Sequence, residues 1–352
     1  MNHITEIIEK EQVSKFSEIL NNLARIAESV NAVDSNGSYQ SFNDTINSSM
    51  ALNPWFTREN IGQALRGLSY MLRPEALEKW LNSYDFSHRT EPKRIGLILA
   101  GNIPMVGFHD IFCVAIAGHK PVAKLSSQDK LLLPAVFKLF YNATGINGFN
   151  VEWIEDRLPA VDAVIATGSN NTSRYFEYYF GKYPNIIRKN RTSVAILTGN
   201  ESDAELNALG ADIFSFFGLG CRNVSKIFVH RDFDIDRFFK GIYDYNQIIN
   251  HHKYANNYDY FRALWMMNQE DLLDNGFMIL RPTEALSSPI ATVFYERYDD
   301  LKAVRNQLDR QRDEIQCIVS LEDVPFGESQ RPNLWDYADG VDTMEFLLSG
   351  IK

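Results

Sequence analysis

The sequence predicts an α/β protein made of two α/β lobes facing each other, each built on a largely parallel, doubly wound sheet. Three observations carry that expectation. From residue 91 onward, short apolar runs of strand length alternate with longer runs of helical period. The alternation pauses near residue 190 and then resumes in the same style. Everything before residue 91 has helical spacing instead. A length of 352 residues leaves room for about two domains.

In chain order, Phe16, Leu20, Leu23 and Ile26 fall at helical spacing, and Asn53-Pro54 and Arg73-Pro74 punctuate the helices that follow. A change of style comes at Glu91-Pro92. Arg94 to Ala100 then reads as a buried strand, Met105 to Ala117 as a helix, and Pro121 to Leu125 as a second strand. Ser126 to Asn142 is a helix with an apolar face of Leu131, Leu132, Leu133, Val136, Phe137 and Leu139. Strands are expected at 150–154 and 163–167. The second half gives a strand at 193–197, a helix at 204–217 and a strand at 226–229. Aromatic-rich helices follow from Asp234 to about Leu273, with strands near 277–280, 290–295 and 315–319. Strands separated by helices of this length argue for parallel pairing.

Composition excludes several functions. A formal charge of -10 provides no basic stripe for nucleic acid. One basic cluster, Arg188, Lys189 and Arg191, reads as a solvated helix end or loop. The three cysteines, Cys113, Cys221 and Cys317, are too few and too far apart for a disulfide framework or a metal site, which points to a reducing, cytoplasmic setting. The first residues, Met1-Asn2-His3-Ile4-Thr5-Glu6, lack a basic start followed by an apolar signal core, so export is not expected. The longest apolar region, Ile95 to Leu125, is broken by Asn102, Pro104, His109, Asp110, His119 and Lys120, so no membrane span is expected.

The chemistry-bearing candidate is Phe217-Gly218-Leu219-Gly220-Cys221-Arg222-Asn223. Two glycines let the backbone approach another group closely, and the polar residues after Cys221 place it at the end of an apolar helix. Cys113 and Cys317 lie inside apolar runs and read as small buried hydrophobes. A cysteine nucleophile needs a lowered thiol pKa, which Arg222 can supply, and a donor to the developing oxyanion. The Asn102 amide, just after a strand and a glycine, suits the second task. An asparagine there is equally a turn or helix cap, and structural cysteines are common, so the residues alone leave both readings open. His109 and Asp110 are adjacent on a helix and point about 100° apart, so they form no dyad and read as polar helix positions near a domain interface. His230, His251 and His252 lack a ligand pattern, and no metal is expected. Tyr243, Tyr245, Tyr254, Tyr258, Tyr260, Phe261 and Trp265 suit an acyl pocket, though helix packing is the commoner use of such a run.

Four blocks occur in a telling order: Ala100-Gly101-Asn102-Ile103-Pro104, Lys124-Leu125-Ser126, Ala166-Thr167-Gly168-Ser169 and Gly220-Cys221. Together they resemble the successive signatures of the aldehyde dehydrogenase superfamily. The nearest branch by resemblance is the acyl-CoA reductases related to the fatty-acid reductase of bacterial bioluminescence systems. Pro325-Phe326-Gly327 and Tyr337-Ala338-Asp339-Gly340-Val341-Asp342-Thr343 are similar to that branch too. The resemblance spans residues 90–350.

That resemblance implies an aldehyde-dehydrogenase-like fold with a Rossmann-type nucleotide-binding domain and a catalytic domain. The expected division is 1–190 for the helical segment plus nucleotide-binding domain, with its core from about 90; 191–330 for the catalytic domain carrying the cysteine; and 331–352 for a C-terminal segment. Cys221 is the implied acyl-accepting nucleophile, and its own N–H together with the Asn102 amide is the implied oxyanion hole. Lys124, with Ser126 and Ser127 beside it, is implied at the cofactor ribose, and Gly168 and Ser169 near its pyrophosphate. The chain has no GxGxxG, but the family does not rely on that fingerprint.

Two departures bear on the reaction. Oxidising members carry a Glu-Leu-Gly-Gly base shortly before the strand at 193–197, and this chain has Arg188-Lys189-Asn190-Arg191 there. Ser127 stands where NAD-preferring members often place a glutamate three residues after the lysine, which favours NADPH, with NADH as the alternative. Glu284 in Glu284-Ala285-Leu286-Ser287-Ser288-Pro289 is one residue out of register with the family's nicotinamide-ribose element and is not assigned. The implied activity is reduction of an acyl-CoA or other acyl thioester to an aldehyde through an S-acyl-cysteine. The alternatives are an aldehyde dehydrogenase in the oxidative direction and a cysteine acyltransferase without hydride chemistry. A homo-oligomer is compatible with either.

Overall fold

The computed structural model describes residues 10–29, 40–86, 91–168, 170–349 and 351. The chain divides into two compact units, Met1–Lys189 joined by Arg331–Lys352, and Asn190–Gln330. Among the described residues no helix is long and apolar enough to cross a membrane.

The first unit is centred on a five-stranded sheet of β1 (Arg94–Ile98), β2 (Lys120–Lys124), β3 (Glu152–Ile154), β4 (Ala163–Thr167) and β5 (Asn185–Arg188). The order is β3-β2-β1-β4-β5, and every pair is parallel. The chain winds from β1 outward to β2 and β3, then returns to place β4 on the other side of β1. This reversal makes the carboxyl ends of β1 and β4 a topological switch point, where ligands of such sheets bind. The helices α1 (Lys10–Glu28), α2 (Gln40–Leu52), α3 (Arg58–Met71) and α4 (Pro74–Leu81) precede the sheet. They bury their apolar stripes against α5 (Phe108–Ile116) and α6 (Leu132–Thr144), so that Phe16 meets Phe112 and Phe140 at 5.6 and 4.9 Å between ring centres. Helix α7 (Asn170–Phe180) crosses from β4 to β5.

The C-terminal segment completes this core. Leu334, Tyr337, Met344 and Leu347 are buried in it, and the Trp80 indole N–H donates to the Tyr337 hydroxyl at 2.7 Å. Arg188 does not fit the expectation of a solvated cluster. It ends β5 with only 3% of its side chain exposed, ion-paired to Asp110 on α5 at 2.6 Å and donating to Thr343 Oγ1 at 2.9 Å and to the Ala338 carbonyl. Asp110 is likewise buried as the partner of Arg188, while His109 stacks on Tyr337 at 5.2 Å. Lys189 is exposed as expected. Strand β5 was not legible beforehand, because Ile186 and Ile187 are its whole apolar content.

The second unit holds β6 (Thr192–Leu197), β7 (Val224–His230), β8 (Leu273–Asp274), β9 (Ile279–Pro282), β10 (Thr292–Tyr298) and β11 (Ile315–Val319) in the order β11-β6-β7-β10-β9-β8. All pairs are parallel except β8 with β9. Helices α8 (Asp203–Phe214), α9 (Ile235–Gly241), α10 (His252–Met267) and α11 (Leu301–Arg310) connect them. Helix α8 starts on a capping box in which Ser202 and Glu205 satisfy each other's backbone N–H groups. Its helical run stops at Phe214, earlier than the predicted 217. Phe216 and Phe217 adopt left-handed φ values of 51° and 58°, so a tight turn replaces the last helical turn.

Candidate functional site

In the first unit, the predicted cofactor residues gather at the carboxyl ends of the central strands. Lys124 is the last residue of β2, and its carbonyl accepts the Leu99 N–H at 3.1 Å, so the chain leaving β1 runs beside the chain leaving β2. Gly101 makes that closeness feasible: a Cβ there would lie 2.6 Å from both Cβ and Oγ of Ser126. Ser126 is half-buried and accepts the Gln128 N–H at 3.2 Å, while Ser127 is exposed. Asn102 follows Gly101 and is half-buried.

The segment carrying Asn102 is held by Asp129, which sequence reasoning missed. The Asp129 carboxylate accepts the Met105 N–H at 2.8 Å and the Leu132 N–H at 3.4 Å, and Met105 takes a left-handed φ of 58°. Burial pushes the Asp129 carboxyl up to about 6, against the two backbone N–H groups, which hold it down. One side chain therefore ties the first residue of α6 to the loop after β1.

Gly168 follows β4, and its N–H is spent on the Arg188 carbonyl at 3.4 Å. A Cβ on Gly168 would lie 2.8 Å from the Phe176 ring, so glycine lets α7 close onto the strand end. Ser169 lies outside the described residues.

In the second unit, Cys221 is exposed, whereas Cys113 lies in the core of the first unit and Cys317 is partly buried. The loop before Cys221 passes through three left-handed residues, Phe216, Phe217 and Gly218, two of them with a Cβ that disfavours the conformation. Asn223 holds it there. Its buried amide donates to the carbonyls of Asp212, Ile213 and Ser215 at 3.1, 3.4 and 2.8 Å, and its oxygen accepts the Gly220 N–H at 2.8 Å. The unsatisfied end of α8 and the residue before Cys221 are thus tied to one side chain. Asp212 in turn accepts the N–H groups of Gly327 and Ser329 at 2.6 and 3.0 Å, fixing Pro325-Phe326-Gly327 beside α8. Burial raises the Asp212 carboxyl above the ordinary carboxylate range. The Arg222 guanidinium reaches the Ser329 carbonyl at 3.5 Å.

Glu284 is exposed on a segment anchored by buried Lys226, whose ammonium donates to the carbonyls of Thr283 and Glu284, each at 3.0 Å, and to Glu296 at 2.7 Å. Burial lowers the Lys226 pKa, opposed by Glu296. Of the aromatic run, Tyr254, Tyr258 and Trp265 are packing residues, and the Tyr254 hydroxyl donates to the Phe277 carbonyl at 3.1 Å. Tyr243 and Tyr260 are exposed. The cleft beside the cysteine loop, lined by Phe217, Gly218, Tyr254, Met278 and Thr292, has a free volume of about 30 Å³.

No protein-family model matches the chain, and no curated protein matches its sequence. Solved structures do match. Over 88% of this chain and 72% of the other, it superposes on the P. syringae indole-3-acetaldehyde dehydrogenase AldA in complex with NAD+ and IAA, with a TM-score of 0.58 and 13% identity. The aldehyde dehydrogenase KauB from Pseudomonas aeruginosa matches over the same shares with a TM-score of 0.59 and 11% identity. An E. coli NADP-dependent enzyme matches over 88% and 73% with a TM-score of 0.57 and 14% identity. The chain therefore has the aldehyde dehydrogenase fold, with parallel α/β sheets as the sequence predicted.

Proposed function

We propose that this chain is a nicotinamide-dependent oxidoreductase acting at the aldehyde oxidation level, and more narrowly a reductase of acyl-CoA or a related acyl thioester. The observation that carries the reading is Cys221: an exposed thiol on a loop that Asn223 holds in an otherwise unfavourable backbone conformation. Such a cost is commonly borne where geometry serves chemistry. The fold it shares with enzymes solved with NAD+, and with one described as NADP-dependent, supports the redox half of the reading.

The cofactor half of the reading is supported by three features: Gly101 lets the chain after β1 pass close to Ser126, Lys124 supplies a cation at the end of β2, and no carboxylate lies between positions 124 and 128 to repel a 2'-phosphate. This supports NADPH over NADH. When bound, the reduced nicotinamide supplies hydride to the acyl carbon.

In the proposed cycle, the Cys221 thiolate attacks the thioester carbonyl and the CoA thiolate leaves, giving an S-acyl enzyme. The Cys221 N–H and the Asn102 amide are the proposed donors to the oxyanion. After reduction, the carbon–sulfur bond to Cys221 breaks, releasing the aldehyde and restoring the thiolate. The sum consumes one thioester, one NADPH and one proton. The segment Arg188-Lys189-Asn190-Arg191 offers no carboxylate to activate water, and Arg188 is committed to Asp110, which favours hydride over hydrolysis as the fate of the acyl enzyme.

The named neighbours favour a second reading, oxidation of an aldehyde on the same cysteine. Purified protein assayed with acyl-CoA plus NADPH, and with aldehyde plus NAD(P)+ with and without CoA, separates the two. Cys221→Ala that keeps thioester-dependent NADPH oxidation would sink both.

A further inference from the structure

We infer that Ser193 is the positioning residue that holds the Cys221 peptide for acyl transfer, an inference that rests on the proposed role of Cys221. Ser193 lies in β6, fully buried, 28 residues before the cysteine, and its hydroxyl donates to the Cys221 carbonyl at 3.0 Å. The hydroxyl has a single proton, and a carbonyl has none to offer, so the direction of this bond is fixed. The Cys317 N–H donates to Ser193 Oγ at 3.2 Å, and the Cys317 sulfur lies 3.1 Å from the same oxygen. The Cys317 N–H from β11 therefore donates to the hydroxyl oxygen while the hydroxyl proton serves the cysteine loop. Such a chain polarises along its length.

The sheet is irregular at this level on both sides of β6. Pairing of β6 with β7 slips by one residue between Ser193 and Val194, and pairing with β11 slips between Ile315 and Ile318, the stretch that contains Cys317. Irregularities of this kind re-aim a side chain away from the regular ladder and are common next to active sites. Here they bring the Ser193 hydroxyl and the Cys317 N–H to one point behind the nucleophile. Strand β6 is buried at all six positions, which makes it a rigid base. The cysteine itself is exposed, and its loop is held by hydrogen bonds: Asn223 holds the Gly220 N–H, and Ser193 holds the Cys221 carbonyl. Losing the second anchor removes one of the bonds that fix the peptide after the sulfur, and a displacement of about 1 Å at a reacting group costs on the order of a hundredfold in rate.

The test uses the full chain with Cys221→Ala, Ser193→Ala, Ser193→Thr and Ser193→Cys. Thioester-dependent NADPH oxidation with octanoyl-CoA, acylation of Cys221 by mass spectrometry, and thermal melting are measured for each. Ser193→Ala is expected to lower kcat and the acylation rate by about tenfold or more, with KM for the thioester little changed. Ser193→Thr keeps the hydroxyl and restores the rate. If Ser193→Ala does not fold, Ser193→Cys carries the comparison as a weaker donor of similar size, with a reduced kcat. A Ser193→Ala enzyme with wild-type kcat, or a loss shared equally by the threonine variant, overturns the inference. Activity that survives in Cys221→Ala overturns the functional reading instead.

Discussion

Asp129 accepts the backbone N–H of Met105 at 2.8 Å, and through that bond the loop bearing Asn102 is tied to the turn bearing Ser126 and Ser127. Two of the segments proposed for catalysis and cofactor binding thus share one buried carboxylate, which burial pushes up to about 6. The unfolded chain titrates this group near 4. The folded state therefore holds the proton more tightly, and the stability this brings is complete below about pH 4 and lost as pH rises through 6. Asp129→Asn cannot ionise. Its stability relative to the wild type should improve by up to about 3 kcal/mol between pH 4 and pH 7. Urea unfolding at the two pH values reads this directly, and a pH-independent difference would show that the carboxyl titrates normally.

The Arg188 and Asp110 pair predicts an asymmetric response. Asp110→Ala leaves a guanidinium buried without its counter-charge and should cost about 3 to 5 kcal/mol. Replacing both, as Asp110→Leu with Arg188→Met, removes the stranded charge and should recover much of that loss. Chemical denaturation of the single and double variants decides it; equal losses in both would mean that packing dominates.

Asn223→Ala removes four hydrogen bonds from one buried amide, and stability should fall by about 2 to 4 kcal/mol. Relaxation of Phe216 and Phe217 out of their left-handed conformations should accompany this, with a lower rate of acylation at Cys221. Acylation that proceeds at the wild-type rate would show that the loop geometry has no part in reactivity.

Pulsed alkylation of the native protein should modify Cys221 first and leave Cys113 untouched until unfolding, because one thiol is exposed and the other lies in the core. A peptide map of the labelled sites checks the order. Preincubation with an acyl-CoA should protect Cys221 alone.

Ser127→Glu places a carboxylate within three residues of Lys124. NADPH should bind on the order of tenfold more weakly, with NADH little affected, since only the former carries the 2'-phosphate. Fluorescence titration with both dinucleotides measures the ratio.

The predictable parts are those in which a residue acts through its neighbours along the chain. Strand β4 at 163–167 and strand β11 at 315–319 were legible residue for residue: β4 because a buried parallel strand is a nearly continuous apolar run, and β11, an edge strand, because its apolar residues outnumber Gln316. Asn102 could be singled out because it follows a strand and a glycine, whereas Lys124 and Gly168 stood out only through the resemblance to the aldehyde dehydrogenase signatures. Strand β5 was too short to stand out, and the end of α8 gave no warning of its left-handed turn.

Four pairings were invisible in the linear chain: Arg188 with Asp110, 78 residues away; Asp129 with Met105; Asn223 with the end of α8; and Ser193 with Cys221. Each satisfies a buried polar group, and the partner of such a group is set by which strands become neighbours and in what register. By itself the sequence determined the α/β alternation, the strand ends that carry polar residues and the distinctive setting of Cys221, all consequences of local periodicity. Only the tertiary structure decided that an apparently solvated arginine is an interior ion and that a serine in β6 supports the cysteine loop. Desolvation drives those choices: a charge or hydroxyl removed from water must find a partner wherever the folded chain supplies one.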